Sequence, residues 1–327
     1  MLHNYYGTSP LRKILIFCVK VWQDTMIIYC LLCITIALAL YSLYLVWKAG
    51  SRPLAATYSY LLLGLSLGWF LYLYGTWVYL SIYSKYVFGG LLLLNMAAYA
   101  ARKHDHAAKP TPRWKRVSNG IFTFIFIVMS VLYFTGTTGK PQRVALAFPF
   151  KPGKYFVLQG GKGLPTNVFH FSLRGAIYAM DIVKLNSYGG RAEKIFSRKL
   201  EDYVIYGDTV YAPCDGLVTR AYSNNPDNIP PAMNRGPKNT NQVVLETPGY
   251  YVFMAHLKMG SVVVREGQYV KQGDPLGCVG NSGFSTEPHL HIQVHTKKAG
   301  VPWYQGKPLY ILFNGKSYLL NEVINAK

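Results

Sequence analysis

The chain has 327 residues, 51% of them apolar, and a formal net charge of +20. Its 34 Lys and Arg are scattered, with no basic run interleaved with aromatics, which argues against a nucleic-acid module and leaves no nucleic acid expected as partner. No phosphate-cradling GxxxxGK loop is present, and the number and spacing of its five cysteines exclude a closed four-cysteine metal site.

Residues 1–24 carry Arg12, Lys13 and Lys20 around the apolar run Ile14 to Val19. That run is too short to span a bilayer and has no small-residue cleavage site nearby, so the segment reads as interfacial. Four uncharged stretches follow, at 25–47, 53–84, 86–101 and 117–139. A helix needs about 20 apolar residues to cross a bilayer, and the third stretch reaches that length as 79–101 if Lys85 snorkels to the headgroups. Residues 25–139 therefore read as an all-α transmembrane region of four spans in contact with a lipid bilayer. The loop 102–116 holds six Lys and Arg, and Lys48 and Arg52 add two in the loop between the first two spans. Basic loops are retained in the cytoplasm, which puts everything after Gly139 outside and leaves the basic N-terminus on that outer side too.

Of the charged residues, 12 Lys and Arg and 2 acids precede residue 140, leaving 22 and 12 beyond it. The exported part is thus also basic, which suits an anionic lipid surface or wall polymer. Residues 140–327 read as a mainly β domain, with short runs rich in Val, Ile and Tyr between Gly, Pro, Asn and Asp clusters. Expected strands are 204–206, 216–221, 242–246, 250–257, 276–279 and 290–295, and 224–241 is a long loop fit to wall a cleft. Cys214 and Cys278 are open to two readings, a disulfide in an oxidising compartment or two buried thiols.

Five of the eight histidines, His170, His256, His289, His291 and His295, fall in this second part. His289 and His291 alternate across Leu290 and so share one face of a strand. The similar pair His104 and His106, in the basic loop, reads as ordinary surface. His256 ends an apolar strand before a turn. Asp181 lies in the apolar run AIYAMDIV, where a buried acid is costly unless paired or bound to metal, and His170 is eleven residues earlier. Two imidazoles and a carboxylate leave one tetrahedral position open, as in hydrolytic zinc sites.

YAPCDGLV at 211–218, MAHL around His256, VREGQYVKQGDPLGCVGNSG at 264–283 and STEPHLHIQ at 285–293 together resemble the lysostaphin-like zinc metallopeptidases, which cut peptide cross-links in bacterial peptidoglycan. The resemblance implies a duplicated hybrid motif fold, β-sandwich-like, and one zinc per chain held by His170, Asp181 and His291. It implies His256 and His289 as the catalytic pair that orients and deprotonates water and stabilises the oxyanion. Many members place the first His and the Asp four residues apart; YAMD at 178–181 resembles a branch with the longer gap. Tyr178 and Tyr251 are both candidates for a hydrogen bond to the oxyanion, and His295 reads as a surface residue or one behind the ligands. The implied setting is a bacterial inner membrane, multi-pass, with the peptidase on the periplasmic or extracellular side and peptidoglycan peptides as partner. A non-catalytic wall-binding or regulatory module of the same fold is the alternative. A transporter with an extracellular cap ranks last, because the spans hold no internal acid or paired charge.

Overall fold

Four long helices come first: α1 (Pro10–Ala49), α2 (Leu54–Tyr74), α3 (Ile82–Ala101) and α4 (Arg113–Thr135). The computed structural model describes residues 10–50, 54–102, 111–171, 175–234 and 239–327, with side chains described from residue 29 in α1 and from residue 57 in α2. His104, His106 and Arg52 lie outside the described residues. Among the described residues, Tyr29–Ala49 and Arg113–Thr135 are long and apolar enough to cross a membrane by length and composition. α2 and α3 have similar lengths, 21 and 20 residues, but more Tyr, Ser and Gly. The segment expected to be separately interfacial is continuous with the first span from Pro10 onward. At 1.5 Å per residue, the 40 residues of α1 reach about 60 Å.

The helices alternate in direction. Thr57 Oγ1 donates to Ala49 O and the Thr35 and Thr76 hydroxyls meet at 3.0 Å, so α1 and α2 are antiparallel. Asn95 Nδ2 donates to Leu43 O, and Tyr74 OH to Met129 O, which sets α3 alongside α1 and α4 alongside α2. Gly64 and Gly68, four apart, permit the closest approach: a Cβ at Gly64 would stand 2.8 Å from Val46 Cγ2 and 3.0 Å from Ser42 O. Small residues at this spacing let helix backbones meet. Arg102 Nη1 donates to Trp47 O, so the basic ends at Lys48 and Arg102 lie together, away from the C-terminal ends of α2 and α4.

The rest is mainly β, so the fold is N-terminal helices followed by a mostly-β C-terminal domain. Its strands are β1 (Arg143–Leu146), β2 (Gly153–Gln159), β3 (Met180–Lys184), β4 (Thr209–Tyr211), β5 (Gly216–Tyr222), β6 (Gln242–Glu246), β7 (Tyr250–Ala255), β8 (Tyr269–Val270), β9 (Pro275–Cys278), β10 (Leu290–Thr296), β11 (Pro308–Phe313) and β12 (Val323–Ala326); the single turn α5 (Val168–Phe171) lies between β2 and β3. Among the described residues, the main sheet runs β12-β2-β3-β10-β7-β6-β5-β8, with β11 joining β10 and β1 joining β11, while β4 and β9 pair separately. Residues 204–206, expected as a strand, form turns, and β1, β2, β3, β4, β8, β11 and β12 were not anticipated. Cys214 and Cys278 are both free thiols, and burial pushes that of Cys214 up to about 11.

The two faces of the sheet differ. Val243, Leu245, Val252, Met254, Leu290 and Ile292 alternate onto one face and make a dry aliphatic core. The residues between them point to the other face, among them Asp181, Phe253, His291 and Gln293. Further along that second face, Phe156 and Val183 pack with Val78 and Ile82 from the turn between α2 and α3. The helices and the sheet therefore share a buried cluster.

Polar groups complete the joint. Asn321, just before β12, has φ +62° and donates through Nδ2 to Leu73 O at 2.8 Å and Gly75 O at 2.9 Å. Tyr133 OH, near the end of α4, donates to Leu320 O. Lys85 does not snorkel outward. Its buried ammonium donates to Asn321 O at 3.1 Å and stands 4.7 Å over the Tyr72 ring.

Asn321→Ala leaves two buried helix-end carbonyls without a donor and puts a Cβ-only side chain at a left-handed residue, both destabilising. The expected cost is about 2 kcal/mol, read as a melting temperature several degrees lower for the detergent-solubilised full chain. An unchanged melting temperature would show that Asn321 does not fasten the two regions.

Candidate metal centre

The register of β10 builds the site. β10 lies between β3 and β7, pairing His291 with Asp181 on one side and with Ala255 on the other. Directly paired residues of antiparallel strands share a face, so the Asp181 carboxylate and the His291 ring are forced together. His291 Nδ1 stands 3.0 Å from Asp181 Oδ1. His170, from α5, brings Nε2 to 3.3 Å from Asp181 Oδ2, and His289 brings Nε2 to 3.5 Å from Oδ1.

Strand alternation alone would turn His256, the residue after Ala255, to the opposite face. Its φ of +65° breaks the alternation. The ring instead lies 4.7 Å from that of His289 and 5.7 Å from that of His291. Such a conformation is uncommon for a non-glycine residue and persists only where its surroundings enforce it. Here Gly280 N donates to His256 O at 2.9 Å, and Gly280 comes so close that a Cβ would stand 2.4 Å from Lys258 Cα.

Each imidazole is oriented from behind. Asn167 Nδ2 donates to the carbonyls of Ile177 and Ala179, which leaves its Oδ1 to accept from His170 Nδ1 at 2.8 Å. His256 Nδ1 meets Ser282 O, and His289 Nδ1 meets Glu287 O, each at 2.8 Å. His291 Nε2 stands 3.0 Å from Gln293 Oε1. A nitrogen facing a backbone carbonyl or the Asn167 oxygen carries the hydrogen, so the other nitrogen of His170, His256 and His289 is left to bear a proton or to ligate a metal. The inner nitrogens of His170, His289 and His291 converge on a carboxylate: protonated they pair with it, neutral they offer lone pairs to a cation. Gln159 is paired with Asp181 from the β2 side, and its Oε1 is buried without a partner.

The donor set fits a divalent cation. Ligand atoms of His170, Asp181 and His291 all lie within 4.8 Å of one another, and all three residues are buried. Two imidazoles, each hydrogen-bonded from outside, and a carboxylate are a familiar zinc donor set. Burial alone would raise the Asp181 carboxyl, but His170 and His289 outweigh it and hold the group well below the usual carboxylate range. His256 is pushed well below the ordinary imidazole range, by burial first and then by His289 and His291, which keeps it neutral. Burial also opposes a proton on His289, yet Asp181 reverses the sign and raises it. His291 is lowered, chiefly by burial.

All five residues singled out from the sequence meet here. His295 does not: it is fully buried, with Nδ1 to Gly306 O and its ring edge-on to Trp303. Tyr178 packs edge-on against Tyr310, and Tyr251 lies opposite His295 in the β7–β10 register. Within 224–241, of which residues 235–238 lie outside the described residues, Asn228 Nδ2 donates to Gly283 O and Ser285 O, bracing the segment that leads to His289. Sequence reading passed over Asn167 and Gln293. Gln293 was readable, since the alternation of His289 and His291 continues to it, and Asn167 sits one helical turn before His170.

A buried carboxylate ringed by oriented imidazoles belongs to the metal-binding hydrolase class of sites. Residues 202–303 match the model of Peptidase family M23. His256, His289 and His291 lie inside the matched region; His170 and Asp181 precede it. The peptidoglycan DD-endopeptidase ShyA of Vibrio cholerae is 28% identical over 109 residues, covering 31% of this chain and 22% of that protein. Lysostaphin from Staphylococcus simulans is a structural neighbour at 20% identity and TM-score 0.29, with 47% of each chain covered. A zinc containing peptidase from Vibrio cholerae follows at 22% identity and TM-score 0.24, covering 50% of this chain and 39% of that one. The chain thus spans about a fifth of the length of its curated relative.

Zinc titration of the chelator-treated full chain checks the donor set. Binding is expected to vanish in Asp181→Ala and His291→Ala, and to weaken about 10- to 100-fold in Gln293→Leu, which leaves the His291 ring unsupported. Wild-type zinc stoichiometry in Asp181→Ala would refute the site.

Proposed function

We propose that the chain is a membrane-anchored zinc endopeptidase that hydrolyses peptide cross-links of bacterial peptidoglycan. In this reading residues 25–139 form the anchor and residues 140–327 the peptidase domain, held on the outer face of the inner membrane. The observation that carries it is the Asp181 carboxylate contacted by the inner nitrogens of His170, His289 and His291, with the His256 ring tilted against that of His289. The match to Peptidase family M23 and the likeness to a peptidoglycan DD-endopeptidase support the substrate class.

His170, Asp181 and His291 would hold the zinc. When bound, the ion acts as a Lewis acid that makes water acidic enough to attack a carbonyl near neutral pH. His256 is neutral with its Nδ1 hydrogen committed to Ser282, so its Nε2 lone pair accepts a hydrogen from the attacking water and orients it. His289, whose Nδ1 hydrogen is committed to Glu287 O, takes the proton at Nε2. The imidazolium so formed offsets charge on the carbonyl oxygen and then gives the proton to the departing amine. Glu287 O keeps the His289 ring in place throughout.

The test uses the full chain in detergent with zinc and purified peptidoglycan, following newly released amino groups. Cleavage is expected, and a chelator should abolish it. His289→Ala should lower kcat about 10²- to 10⁴-fold while zinc stays bound. No release of amino groups by any zinc-loaded preparation would refute the proposal.

A further inference from the structure

The helical region meets the second face of the sheet within reach of the metal centre. Asp181 and Val183 are alternate residues of β3 and share a face, and Val183 packs against Val78 and Ile82. Ile82 N also donates to Gly189 O at 2.8 Å, and Ser81 Oγ to Tyr188 O. The turn between α2 and α3 is therefore fastened to the loop that follows β3.

That loop carries Arg191, which is 2% exposed. Its guanidinium grips Glu287 at two points, Nε to Oε1 at 2.8 Å and Nη2 to Oε2 at 2.7 Å. The guanidinium carbon lies over the Tyr79 ring, 4.1 Å from its centre. Tyr79 ends the short 3-10 turn Trp77–Tyr79 that joins α2 to α3. Glu287 in turn supplies the carbonyl that accepts from His289 Nδ1, and Ser285 Oγ donates to the same carbonyl at 2.8 Å.

We propose that Tyr79 is a positioning residue for His289, acting through Arg191 and Glu287, so that the helical region takes part in hydrolysis as well as in anchoring. The inference rests on the hydrolytic reading above. A buried Arg–Glu pair is expensive to desolvate and depends on good geometry to be tolerated. The Tyr79 ring closes the open face of the guanidinium, keeping water off the pair and fixing its plane. Tilting that plane moves the Glu287 backbone, and with it the carbonyl that accepts from His289 Nδ1 at 2.8 Å. None of the residues proposed to hold zinc takes part in the chain of contacts. Loss of Tyr79 should consequently disturb proton transfer and spare metal binding.

The experiment compares wild type, Tyr79→Leu and Tyr79→Phe as full chains in detergent, measuring kcat, KM and bound zinc on peptidoglycan peptides. Tyr79→Leu should lose about tenfold in kcat, with KM within about twofold and zinc content unchanged, because a small misplacement of a proton-transfer group acts on the chemical step. Tyr79→Phe keeps the ring face and should keep most of the activity. A purely structural role would lower the folded fraction while leaving kcat per zinc-loaded chain intact, and that result overturns the proposal. If Tyr79→Leu does not accumulate as folded protein, Arg191→Lys decides in its place, since it keeps the charge and loses the two-point grip: a similar kcat loss supports the proposal and an unchanged kcat overturns it. Wild type that binds zinc and cleaves nothing overturns the hydrolytic reading and this inference together, whereas active wild type with an equally active variant overturns this inference alone.

Discussion

The molecule is organised around a carboxylate that has been taken out of water. Asp181 is 9% exposed, and an isolated ionised carboxylate at that depth would be intolerable without compensation. The compensation comes from three directions: His291 across one strand pair, His170 from the single turn α5, and His289 from the segment entering β10. Each imidazole depends on an acceptor behind it. The unusual features nearby, among them the left-handed backbone at His256 and the close approach of Gly280, follow from bringing a fourth ring up to the same spot.

What the sequence made legible was mostly local. HLH on one strand, a histidine ending an apolar run and an acid inside another each reflect side-chain period and burial, which neighbouring residues reveal. The strands β6, β7 and β10 were found because each is a short run rich in Val, Ile, Leu or Tyr between turn residues, and in β10 the apolar residues also alternate with polar ones. β1, β2, β11 and β12 escaped because their pairings are long-range: β1 pairs in parallel with β11. Residues 204–206 look like a strand by composition, yet Ile205 is buried as part of a turn and pairs with no neighbour. Arg191 carries no signature at all, since its importance lies in what it touches.

Lys85 illustrates the same limit. A lysine at the edge of an apolar stretch has an easy solution in snorkelling, and local sequence offers no reason to reject it. The structure gives the ammonium a carbonyl at Asn321 and an aromatic face at Tyr72, both of them distant in sequence. Its position at the foot of α3 puts a cation under the joint between the helices and the sheet, where Asn321 is already bonded to Leu73 and Gly75.

That joint leaves no free tether between the last helix and the first strand. α4 ends at Thr135, Thr137 N and Thr138 Oγ1 bond to Lys162 O, and β1 begins at Arg143. A catalytic head on a loose leash would sweep a volume and sample substrate at many heights. On the proposed function this one would be mounted like a fixed blade: were the helices in a bilayer, the centre would keep one distance and one tilt relative to the membrane plane. Encounters would then be governed by lateral drift of the whole molecule, and only the stratum of polymer at that height would be within its reach.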